Sequence, residues 1–144
     1  MRIYLDACSF NRPFDDQSQL RIRLEAEAKL KIQEEIHARK IELVWSYILD
    51  YENAKNPYPE RKVRISGWRD YAKINVQEST ELLATGNGQH KQALSKIGSL
   101  HLACAITAGC EYFITTDDGI LKCKPRMTAI NIADPILFIK EHEL

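Results

Sequence analysis

The chain has 144 residues, 44% of them hydrophobic and 28% charged, and its 20 basic and 20 acidic residues cancel to a formal net charge of zero. That length supports a single domain, 1–144, with a substantial core and leaves little for a second. The charge balance excludes a polycation that holds nucleic acid by bulk charge, so any nucleic-acid surface must be local.

The amino-terminal run Met1-Arg2-Ile3-Tyr4-Leu5-Asp6 has too few apolar residues between its charges for a signal peptide or membrane anchor, and no later apolar run reaches spanning length. Cys8, Cys104, Cys110 and Cys123 form no Cys-x-x-Cys pair and have no histidine at zinc-finger spacing. Reduced, mostly buried thiols in a cytoplasmic protein are expected.

Ile3-Tyr4-Leu5 is a β-prone run that stops at Asp6, ahead of a proline-containing loop through Asp16. A long surface helix follows, with Leu20, Leu24, Ala28, Ile32 and Ile36 at four-residue spacing and Asp16 or Ser18 as its cap. Glu42-Leu43-Val44-Trp45 reads as a second strand, and Ser46 caps a helix carrying Ile48, Leu49 and Glu52. Asn56-Pro57-Tyr58-Pro59 breaks the chain before a helix over 60–73 that Gly67 weakens. Further helices are expected over 78–84 and, after a Thr85-Gly86-Asn87-Gly88 loop, over 89–96. From Ser99 an apolar helix runs to a left-handed stop at Gly109. Strands at Tyr112-Phe113-Ile114-Thr115 and Ala129-Ile130-Asn131-Ile132 precede a helix begun by Pro135. Strands alternating with helices imply an α/β domain with a parallel sheet covered on both faces.

Open parallel sheets place their sites outside the carboxyl ends of the strands, where Asp6 and Asp117 both fall. Either aspartate alone is an ordinary turn residue. Two carboxylates brought together repel unless a cation lies between them, and Mg²⁺ or Mn²⁺ is the usual resolution in phosphodiester chemistry. His101, within an apolar helix, reads as a hydrogen-bonded core residue and is left out of the site; Glu111 and Asp134 read as surface residues, and Asp50 points away from Glu52.

Tyr4-Leu5-Asp6, the segment from Ser46 through Asp50 to Glu52, Leu100-His101-Leu102-Ala103-Cys104-Ala105 and Phe113-Ile114-Thr115-Thr116-Asp117-Asp118 occur in the order and spacing of PIN-domain proteins. Together they cover nearly the whole chain, which resembles the VapC-type toxins of bacterial toxin-antitoxin pairs. That resemblance implies a PIN-like three-layer domain with a central parallel sheet of about four to five strands flanked by helices. It makes Asp6, Glu52 and Asp117 the metal-binding, catalytic acids of an endoribonuclease that uses Mg²⁺ or Mn²⁺. Where such proteins carry a further aspartate, three residues before His101, this chain has Gly98. Glycine offers no ligand, so metal affinity should fall. Thr115, Asp118 and Ser99 are auxiliary candidates.

Residues 55–73 hold six basic residues against two acids, interleaved with Tyr58, Trp68 and Tyr71. Arg61, Lys62, Arg64 and Arg69 are therefore candidate contacts to single-stranded or structured RNA, set against a solvated helix face with inward aromatics. An antitoxin protein and a second copy of the chain are the candidate protein partners. The competing functions are a catalytically degenerate PIN domain that binds RNA or a protein without cutting, and, more distantly, a phosphoacceptor receiver. The receiver reading lacks an adjacent acid pair after the first strand.

Overall fold

Strand β1 (Arg2–Leu5) pairs in parallel with β2 (Glu42–Ser46) on one side and with β4 (Tyr112–Ile114) on the other, while β3 (Ala72–Val76) and β5 (Asn131–Ala133) form the edges. In this computed structural model, which describes residues 1–90 and 94–144 without the side chains of 89 and 90, the order is β3-β2-β1-β4-β5. Ile3, Tyr4 and Leu5 are all fully buried. Successive strand residues face opposite sides, so both faces of the sheet are covered and the domain has three layers. The strand order reverses between β1 and β4, which opens a crevice outside their carboxyl ends.

The helices in chain order are α1 (Ala7–Asn11), α2 (Leu20–His37), α3 (Tyr47–Ala54), α4 (Pro59–Ser66), α5 (Thr80–His90), α6 (Lys96–Thr107), α7 (Asp118–Leu121) and α8 (Pro135–His142). Helix α2 packs on α8, and α5 packs on α6. As expected, Ser46 caps α3 by accepting from Leu49 N at 3.2 Å, and Gly109 takes φ +72° just past α6. Cys104, Cys110 and Cys123 are buried and Cys8 is exposed.

Several expectations are corrected. Helix α2 starts at Leu20 behind Gln19, with no cap from Asp16 or Ser18. Its four-residue row drifts by about 40° per step, because four residues overshoot a helical turn. Leu20 and Leu24 are consequently exposed, while Ile32 and Ile36 are buried at a stabilisation of about 1.5–3 kcal/mol each. The helix expected over 60–73 ends at Ser66, and a 3-10 segment, Gly67–Tyr71, leads into β3, which periodicity did not reveal. β3 does alternate, with Lys73 and Asn75 exposed between Ala72, Ile74 and Val76, but the run is only five residues long and its first two fall inside the helix expected over 60–73.

Helix α5 runs straight through the expected loop at 85–88. Gly86 serves packing there: a Cβ would lie 3.1 Å from Leu100 Cδ2 and 3.8 Å from Ala103 Cβ, so glycine lets α5 and α6 approach. Within the helix expected over 89–96, residues 91–93 lie outside the described residues. Helix α6 begins at Lys96 and not at Ser99. Ser95 is its cap, accepting from Gly98 N at 3.0 Å. Asp134, expected as an uncommitted surface acid, caps α8 by accepting from Leu137 N at 2.8 Å. No helix among the described residues is long and apolar enough to cross a membrane.

Candidate active site

Asp6 follows the last residue of β1 and is 3% exposed. One carboxylate oxygen caps α1 by accepting from Ser9 N at 3.0 Å, and the other accepts from the Thr115 hydroxyl at 2.5 Å. Thr115 Oγ1 also accepts from Asp117 N at 3.0 Å. One hydroxyl thus joins the ends of β1 and β4. Their register, with Leu5 beside Ile114, puts Asp6 next to Thr115. Burial pushes the Asp6 carboxyl above its ordinary pKa, against the opposing pull of His101, Thr115 and Ser9.

Asp117 is exposed and caps α7, accepting from Gly119 N at 2.8 Å and Ile120 N at 3.4 Å through one oxygen. Glu52, half-buried on α3, is paired with His101 Nε2. His101 Nδ1 lies 2.6 Å from the Tyr4 hydroxyl, which lies 2.7 Å from Ser46 Oγ. His101 thus bridges Glu52 and Tyr4, and the chain continues to Ser46, which accepts from Leu49 N. Burial holds the Tyr4 phenol well above its usual range, which keeps it a donor.

These elements close around a cleft lined by Cys8, Asn11, Arg12, Asp15, Glu52 and Asp117, with Asp6 buried behind the lining. Cys8 reports the field there. Although its residue surface is open, its thiol is pushed up to about 12, first by desolvation and then by Asp6, Asp117 and Glu52, with Arg12 opposing. Glu52 and Asp117 thus line one cleft, and Thr115 ties the Asp6 carboxylate to the backbone of Asp117. Carboxylate oxygens suit a hard divalent cation, and no hydrogen bond among the described residues engages Glu52 Oε2 or Asp117 Oδ2. In kind and charge the donors fit Mg²⁺ or Mn²⁺ completed by water. No group of three His, Cys, Asp or Glu among the described residues is already drawn together at metal-holding distances.

The auxiliary candidates separate. Thr115 belongs to the site, but Asp118 forms a forked ion pair with Arg21 at 2.7 and 3.2 Å, and Ser99 donates to Ser95 O within α6. A Cβ on Gly98 would lie 3.0 Å from Ser95 Oγ and 3.4 Å from Ile120 Cδ1, which places this position against the helix that Asp117 caps. His101 was missed as a site neighbour. Its spacing from Glu52 carries no periodic signal, and only the apolar character of its helix was readable.

A second cleft shares Asn11 and Glu52 with the first and continues past Lys55, Tyr58 and Arg61. Arg61 is largely committed within the protein, donating to Phe14 O at 2.8 Å and pairing with Asp15 at 3.3 Å. Lys62 donates to Ala54 O, Arg64 pairs with Glu60 at 3.7 Å, and Arg69 pairs with Asp50 at 3.1 Å. Trp68 and Tyr71 are not open stacking platforms. They pack with His37 at ring distances of 4.9 and 4.4 Å, which leaves Tyr58 as the exposed aromatic of the segment.

The five-stranded parallel sheet flanked by helices is a PIN-like α/β fold. Among solved structures, a chain of the VapBC2 complex from Rickettsia felis, bound to a DNA fragment from their promoter, superposes with a TM-score of 0.58. The match has 11% sequence identity and covers 93% of this chain and 98% of that chain. No family model and no curated protein matches the sequence.

Proposed function

We propose that this protein is a metal-dependent endoribonuclease of the PIN type, acting in the cytoplasm as the toxin of a toxin-antitoxin pair. The observation that carries the proposal is the cleft at the point where the strand order reverses, lined by Glu52 and Asp117 with Asp6 buried behind it. Likeness to a chain of a VapBC complex supports a protein partner of the antitoxin kind.

In this reading Asp6, Glu52 and Asp117 hold Mg²⁺ or Mn²⁺, whose chemistry is to neutralise phosphate charge and activate water. The protein's own contribution is placement. Thr115 fixes the orientation of Asp6, the Ser46–Tyr4–His101 chain fixes Glu52, and α7 fixes Asp117. Arg12 lines the cleft with its guanidinium paired to Asp15 and Glu25, and Lys55 and Tyr58 extend the surface for a phosphate and an unpaired base.

Asp117→Asn keeps an oxygen that can accept both cap hydrogen bonds while removing the charge. Cleavage of a labelled single-stranded RNA in Mn²⁺ should fall by at least about 100-fold in this variant, with an unchanged melting temperature. Cleavage that persists in chelator, or at wild-type rate in the variant, would rule out the assigned site. Gly98 favours a second reading, a degenerate domain that binds RNA or its partner without cutting. Stoichiometric RNA binding by a wild-type protein that cleaves nothing would select it.

A further inference from the structure

Lys29, on α2, is 2% exposed, yet no hydrogen bond or ion pair engages its amine among the described residues. The ammonium lies 4.8 Å from the Phe10 ring centre and 5.3 Å from that of Trp68. Cation-π contacts of this kind recover only part of the cost of taking an ammonium out of water. Burial alone draws the Lys29 amine down to about 7.

Beside it opens a cavity of about 380 Å³ walled by Phe10, Phe14, Trp68 and Ile65, with Arg64 and Gln33 also in the lining. An apolar cavity of about 150 Å³ already accommodates a benzene ring, so this one has room for a ring and a short polar arm. Phe14 is 39% exposed and Leu30, also in the lining, 48%, an apolar mouth that solvent alone does not explain. A polyanion such as phosphate would find one buried amine and one guanidinium shared with Glu60, too few donors for its oxygens.

We propose that this cavity is a binding site for a small aromatic monocarboxylate, its ring in the mouth between Phe14 and Trp68 and its carboxylate on Lys29. The site lies apart from the acidic cleft, with which it shares no lining residue. Occupation supplies the anion that the buried amine lacks, while the ring removes apolar wall from water.

The probes are phenylacetate and its neutral counterpart phenylacetamide, titrated calorimetrically into the full-length protein while the Trp68 indole signal is followed by NMR. Saturable binding of phenylacetate that shifts Trp68, and an affinity for the amide at least about tenfold weaker, is expected. Lys29→Met, similar in volume and without the charge, should lose phenylacetate by a similar factor while remaining folded. Equal affinity for acid and amide, undiminished binding to a folded Lys29→Met, or no Trp68 shift with millimolar phenylacetate would each overturn the site. The acid-amide comparison needs no variant and decides the matter alone should the substitution disturb folding.

Discussion

Asp6 is held by two opposed demands. As a ligand of the proposed cation it would have to be charged, but its burial favours the neutral form and raises its pKa. The folded chain therefore binds the Asp6 proton more tightly than the unfolded chain, and the resulting stability is present at low pH and lost as pH rises through the folded value. In chelator at neutral pH, Asp6→Asn should melt higher by roughly 2–4 °C, a difference that shrinks as the pH falls through the raised folded value and is gone below the unfolded carboxylate range. Melting curves across pH test this. A variant that melts lower at every pH would show that the carboxylate's hydrogen bonds outweigh its desolvation. Added Mn²⁺ should raise the wild-type curve and leave the variant's unmoved.

At this scale the sequence was most readable where a polar residue terminates an apolar run. Asp6 and Asp117 stand out because each follows a strand. Glu52 entered only through the family resemblance, since an acid on a helix is unremarkable by itself. His101 was placed correctly in the core, but its hydrogen bonds join α6 to β1 and α3, and no local pattern records a contact across 49 residues.

Among the elements, the start of α6 shows how closely capping and site are coupled. Ser95 caps the helix and Gly98 is its third residue, the position from which an acid in a capping box reaches back to the cap. Gly98→Asp would add that acid beside the positive end of the helix and next to α7. The new Cβ would press on Ser95 Oγ and Ile120 Cδ1, so these side chains must shift by a few tenths of an ångström. We expect a small loss of stability, on the order of 1 kcal/mol, together with about tenfold tighter Mn²⁺ binding. Gly98→Ala supplies the steric control. Mn²⁺ affinity equal in both variants would mean that the position does not face the cation. Helix ends and edges are also where sequence reading failed: β3 is short and its start falls inside the helix expected over 60–73, and Gly86 resembles a turn although it serves a helix contact. Buried strands and the serine cap of α3 were legible because their signals lie within a few residues of one another.

For the whole molecule, the sheet is open, and parallel pairing leaves β3 and β5 with one unpaired side each. The exposed residues of β3 are Lys73 and Asn75, between Ala72, Ile74 and Val76. A chain with no net charge has little long-range repulsion to keep copies apart, so local charge must do so. Lys73→Val should convert this edge into a template for cross-chain strand addition, seen as rising light scattering on warm incubation while the wild type stays clear. An equally clear variant would mean that the strand's shortness alone protects it. Lys73, which in sequence reads as the end of a helix over 60–73, would, if the variant clouds, be a gatekeeper against aggregation, making colloidal lifetime at high concentration a property of one edge residue.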